Sequence, residues 1–172
     1  MTAVWSQHRG EDLSQGDLLP DCWVPVVGSD FATENTAEEI AVESRSLIVV
    51  TQSCDLAHEK IELAALCPMH TLDEWESENP HFKQKGIWES VRQGRREGLH
   101  MIASPEAPLN NRRALVVDFR QVFSLPIAYL HRHADQLGDR WRLQSPYVEH
   151  FSQAFARFFM RVGLPVAIPA FK

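Results

Sequence analysis

The sequence predicts an α+β protein, most simply a small curled antiparallel sheet with helices packed against it. Three features carry this. Short apolar runs rich in β-branched residues recur between polar turns; a capping-box sequence opens a helical stretch in mid-chain; and an aromatic stripe at helical spacing lies near the end. No internal repeat and no Gly/Ser linker divides the 172 residues, so 1–172 reads as one domain with a helical insertion at about 72–98.

After a polar start, Gly16-Asp17-Leu18-Leu19 leads into Cys22–Val27, a first strand with a proline-marked edge. Ser29 to Glu43 is an acidic loop. Arg45–Ser53 reads as a buried central strand, because Leu47-Ile48-Val49-Val50 is an unbroken aliphatic run. Ile61–Cys67 follows the polar link Asp55–Lys60, and two apolar runs joined this closely predict a hairpin. Thr71-Leu72-Asp73-Glu74 matches the capping box, and Asn79-Pro80 offers a second helix start with Gly94 near its stop. Leu99–Ala103 is a short strand, 104–111 a proline-bearing loop, and Ala114–Phe123 a strand bent near Asp118. His131–Gly138 is polar and reads as loop. Ser145-Pro146 opens the last helix and Gly163 with Pro165 closes it; Val148, Phe151, Phe155, Phe158, Phe159 and Val162 form its core stripe.

The composition, 44% apolar and 23% charged, is that of a globular chain able to bury a core. The longest aliphatic run has four residues, against about 20 for a spanning helix, so no membrane partner is expected. Residues 1–28 lack a basic start followed by an apolar stretch, and the three cysteines, Cys22, Cys54 and Cys67, cannot all pair within one chain. A cytoplasmic protein is the expectation. The net charge of −6 hides an asymmetry: residues 1–80 carry three basic and sixteen acidic groups, net −13, and residues 81–172 fourteen and seven, net +7. The basic excess predicts a face formed by Lys83, Lys85, Arg92, Arg95, Arg96, Arg112 and Arg113, able to bind a polyanion such as RNA with steep salt dependence.

Three constellations carry candidate chemistry. Cys54, His58, Cys67 and His70 are ligand types suited to tetrahedral zinc. The hairpin opposes this: with its tip at Ala57-His58, residues whose numbers sum to about 115 face each other, which sets Cys67 against Ile48 and Cys54 against Ile61. The two thiols are then about 20 Å apart along the sheet. No cofactor is therefore expected, with zinc as the alternative. Second, Cys54 beside Asp55, with His58 as base, is a candidate thiol site where a strand runs out into a loop. Third, Arg45 and His70 sum to 115 and should face each other at the hairpin's open end, with Thr71 beside them. A cation next to a titratable imidazole is what phosphodiester cleavage needs: Arg45 to stabilise the phosphate and transition state, His70 as acid/base, Thr71 as an orienting hydroxyl. Each has a structural alternative. Arg45 can pair with Glu43 or Glu62, and Thr71 can serve only as a cap.

Gly16-Asp17-Leu18-Leu19, Arg45–Thr51, Cys67-Pro68-Met69-His70-Thr71, Val117–Val122 and the final helix together resemble, in that order, the MazF/PemK-like toxins. The likeness covers about two thirds of the chain in pieces. His70 stands where the family has its threonine, the family's Gly-x-Glu-Gln loop has no counterpart, and residues 72–98 are an insertion. The resemblance implies a small SH3-like antiparallel barrel, a toxin-like or bacterial-defence protein that cleaves or binds RNA without a metal, and an antitoxin as protein partner. Two other classes compete: a non-catalytic SH3-like protein-interaction module, and a zinc or thiol protein centred on Cys54. The sequence leaves the oligomeric state open.

Overall fold

The computed structural model describes residues 3–28, 40–58, 61–105 and 114–160. In chain order these form β1 (Trp5–Arg9), β2 (Leu18–Pro25), β3 (Val42–Val49), α1 (Ser53–Ala57), β4 (Leu63–Thr71), α2 (Leu72–Glu78), a 3-10 turn (Pro80–Lys83), α3 (Ile87–Arg92), β5 (Leu99–Ile102), β6 (Leu115–Asp118), β7 (Phe123–Pro126), α4 (Ile127–Leu137), β8 (Asp139–Leu143) and α5 (Tyr147–Phe159). The class is α+β and every strand pairing is antiparallel.

β4 organises the main sheet. β3 lies on one side of it, while β7 and then β6 share the other, and β2 and β5 form the outer edges. No rung joins those edges among the described residues, so the sheet is open where a closed barrel was expected. The bend near Asp118 is real: the single strand expected over 114–123 breaks there into β6 and β7, which continue along the same neighbour.

Alternation along the central strands divides the core. Leu47, Val49 and Leu66 point to one face, where Leu130 and Ala134 of α4 cover them. Ile48, Val50, Cys67, Met69 and Val117 point to the other, under Phe151 of α5 and beside Trp5 and Leu143. Burial on both faces explains the unbroken aliphatic run of β3. A third cluster joins Leu72, Trp75, Phe82 and Val91 of the insertion to Leu99 and Val116 of the sheet.

Three local expectations are corrected. The link Asp55–Lys60 is no simple hairpin tip, since Ser53–Ala57 is the short helix α1. His131–Gly138 is not loop but most of α4, held by Leu130 and Ala134 one turn apart. The polar start contains β1, which pairs with β8 in a separate two-stranded ribbon. That ribbon is fastened to the sheet by charge: Asp17 and Arg140, both fully buried side chains, pair at 3.0 Å, and Arg142 Nε reaches the second Asp17 oxygen at 2.5 Å. No helix among the described residues is long and apolar enough to cross a membrane.

Candidate functional site

The β3–β4 ladder runs Leu47↔Pro68, Ile48↔Cys67 and Val49↔Leu66, each pair summing to 115 as the sequence arithmetic requires. The next residues diverge. Beyond Pro68, β4 leaves β3 and pairs with β6, so His70 lies opposite Val116 and Thr71 opposite Leu115. Arg45 pairs with Cys22 of β2. Arg45 and His70 are therefore not partners in a rung, although the Arg45 charge still acts on the imidazole.

The three candidate catalytic side chains are each engaged in the fold. Arg45 donates to Glu43 Oε1 from Nε at 2.6 Å. Thr71 completes the capping box: its hydroxyl accepts from the Glu74 N–H at 3.2 Å and donates to Glu74 Oε2 at 2.9 Å, while its own N–H donates to that oxygen at 2.7 Å. His70 is buried edge-on against Trp75, with ring centroids 5.2 Å apart. Burial pushes its pKa down, Arg45 adds to that, and Glu78, Glu74 and Asp118 oppose it. The imidazole is thus neutral at pH 7, and its Nε2 has no hydrogen-bond partner among the described residues.

The thiol and metal candidates fall on different surfaces. Cys54 is exposed on α1, with its Sγ 3.8 Å from both Gln52 Oε1 and Asp55 Oδ1, and His58 is exposed at the helix end. Cys67 is buried in the sheet, where its thiol is pushed up to about 12, and three positions along the strand His70 points to the opposite face. No group of three or more His, Cys, Asp or Glu side chains that could hold a metal occurs among the described residues.

The residues expected to form a basic face fall partly on the insertion. Lys83, Lys85, Arg92, Arg95 and Arg96 are exposed on the insertion, whereas Arg112 and Arg113 lie outside the described residues. Arg92 is tied to Glu89, with Nε donating to Oε2 at 2.7 Å. Arg96 lies over the Phe82 ring at 5.4 Å, with its Nε donating to Ser90 Oγ at 3.2 Å. Arg96 borders a cleft of about 230 Å³ whose walls include Trp75, Phe82, His81 and Arg120.

Arg120 is the residue that sequence reasoning missed. It follows buried Asp118 by two positions and clasps it with two bonds, Nε to Oδ1 at 2.7 Å and Nη2 to Oδ2 at 2.9 Å. Its guanidinium carbon sits 5.4 Å from the Trp75 ring centroid. Gly98, at φ +80°, clears its path: a Cβ there would stand 2.8 Å from Arg120 Cγ. The available signal was Asp118-Phe119-Arg120 at the strand's bend, an acid and a base two positions apart where the chain turns.

A second histidine gives the fold a pH dependence. His100 on β5 stacks against Phe119, with ring centroids 5.8 Å apart at 17°, and burial, aided by the His150 charge, pushes its pKa down to about 4. The unfolded chain takes up this proton near the ordinary value of 6.5, so acid favours unfolding. The His100 contribution is complete above about pH 6.5 and lost as pH falls towards about 4. Denaturant titrations at pH 7 and pH 4.5 should show His100→Phe losing about 2 kcal/mol less than wild type over this interval. Equal losses in the two proteins contradict the assignment.

Neither a protein-family model nor a curated protein matches the chain, so the candidate site rests on its geometry alone.

Proposed function

We propose that this chain is a toxin-like or defence-associated protein that acts by binding RNA, through the exposed face of its helical insertion. One observation carries the proposal. Lys83, Lys85, Arg95 and Arg96 stand exposed on one short stretch of sequence, and Arg96 joins Arg120 at the cleft, each guanidinium carbon 5.4 Å from an aromatic ring centroid. Cations gathered this way displace counterions from a phosphate backbone, and a guanidinium fixed in place, as Arg120 is by Asp118, is suited to phosphates and to bases. In this proposal the strand order derives from an SH3-like sheet of the MazF/PemK-like kind, opened by the insertion between β4 and β5. Arg45 and His70 are then the place for any cleavage chemistry. The buried neutral imidazole and the committed Thr71 hydroxyl favour binding over cutting.

A second observation favours the protein-interaction reading. Trp23, Val27, Ile40 and Val42 are 53–59% exposed at the far end of the β2–β3 hairpin, an apolar surface remote in sequence from the insertion. The two readings part on direct binding of single-stranded RNA to the full chain, alongside the effect of expression on cell growth. RNA retention with growth arrest supports the first. Harmless expression with no RNA bound replaces it by the second.

A further inference from the structure

We infer that the cleft between the insertion and the β5–β6 edge is a nucleotide subsite for single-stranded RNA, its base stacked on a guanidinium and its phosphate held by the same arginines. This deepens the RNA-binding proposal and rests on it. Arg120 spends Nε and Nη2 on Asp118, which fixes its plane, and Nη1 has no hydrogen-bond partner among the described residues. Arg96 likewise spends Nε on Ser90, borders the cleft, and has no hydrogen bond from its terminal nitrogens among the described residues. Each guanidinium carbon lies 5.4 Å from an aromatic ring centroid, Phe82 for Arg96 and Trp75 for Arg120, and the Arg120 side chain is 53% exposed. An exposed guanidinium of that kind stacks a planar ring, and the terminal N–H groups suit phosphate oxygens.

The walls narrow the ligand class. Trp75 is 3% exposed and Phe82 5%, so they act as supports beneath the arginines and not as stacking surfaces themselves. Glu97 lines the same cleft, and its negative charge makes the cleft a poorer host for a bare phosphate dianion than for a ligand that also brings a neutral planar ring. A volume of about 230 Å³ is below the usual drug-sized range and fits one nucleotide's ring and not an extended ligand.

The test is calorimetric titration of the full chain with 5′-GMP, 5′-AMP, ribose 5-phosphate and inorganic phosphate, beside a short single-stranded RNA. The expected result is that at least one mononucleotide binds about tenfold or more tighter than ribose 5-phosphate. Arg96→Gln, whose side chain is exposed, should weaken that binding by a similar factor, and Arg120→Lys should do the same while keeping a cation for Asp118. Circular dichroism checks that both variants fold. RNA binding that persists with no mononucleotide binding, or with both variants at wild-type affinity, overturns the subsite and leaves the RNA proposal standing. Equal affinity for mononucleotides, ribose 5-phosphate and inorganic phosphate makes the cleft an anion site without base recognition and also overturns the inference. Absence of any RNA binding by the wild type overturns both.

Discussion

Asp17→Ala is expected to destabilise the protein by about 3–5 kcal/mol, enough to unfold a marginal domain. Asp17 and Arg140 are fully buried side chains, and Asp17 also accepts from Arg142 and from the Ser14 N–H at 3.1 Å. Removing the carboxylate strands the Arg140 guanidinium in the interior. Its remaining partners are the carbonyls of Gly10 and Asp12, which bond it but carry no countercharge. The ribbon of β1 and β8 should then detach from the sheet first, because this network and the Asp17↔Arg142 bridge join them. Asp17→Asn keeps the shape and part of the hydrogen bonding, so its cost should be smaller. Chemical denaturation of the three proteins measures this, with hydrogen exchange in residues 5–9 and 139–143 reporting the detachment. Wild-type stability in Asp17→Ala contradicts the role given to the network.

Trp75→Ala should cost a further-reaching loss, about 3–5 kcal/mol, with weakened ligand binding. Trp75 is the hub of the insertion's core: it packs edge-on to Phe82 at 5.7 Å, supports His70 at 5.2 Å and carries the Arg120 guanidinium. Truncation opens a cavity among Leu72, Phe82, Leu99 and Val116, and releases Arg120 from its plane. Trp75→Phe separates these effects. The indole Nε1 is buried with no hydrogen-bond partner among the described residues, so phenylalanine retains a ring and removes an unpaired donor. Its stability should fall within about 1.5 kcal/mol of wild type. If Trp75→Ala is as stable as Trp75→Phe, the insertion does not depend on this core.

What could be read from the sequence was what depends on local pattern. The register summing to 115 followed from two apolar runs and is seen in all three β3–β4 rungs. The capping box at Thr71-Glu74 formed with both bonds, and Phe151 of the aromatic stripe is fully buried against Phe119 at 5.6 Å. Phe159, also expected in the core, is instead 59% exposed because the stripe runs past the edge of the sheet's core, and Val162 lies outside the described residues. What could not be read depends on distant partners. The β3–β4 ladder stops at Pro68, while β4 continues with β6 on its other side, and this leaves His70 out of the predicted rung with Arg45. β1 is polar on its own, and its partner β8, which sets Leu143 opposite Trp5, lies 130 or more positions away. α4 hides because two histidines and Arg132 mask the spacing of Ile127, Leu130, Ala134 and Leu137. Those histidines are structural: His133 Nε2 meets the Pro20 carbonyl at 2.7 Å and His131 Nδ1 the Glu11 carbonyl at 2.5 Å. Arg120 became a candidate only once folding set it over Trp75, some 45 positions away in the chain.

The central claim, that RNA binds on the insertion by its phosphates, is tested most directly by the salt dependence of affinity for a short single-stranded RNA. The comparison is between wild type and a Lys83→Gln, Lys85→Gln, Arg95→Gln variant, all three residues being exposed. For wild type the logarithm of the association constant should fall linearly with the logarithm of salt concentration, with a slope of about −0.7 for each phosphate contacted. The variant should bind more weakly and with a shallower slope, by up to about 2 units if all three cations touch phosphate. Salt-independent binding, or a variant with the wild-type affinity and slope, contradicts the claim.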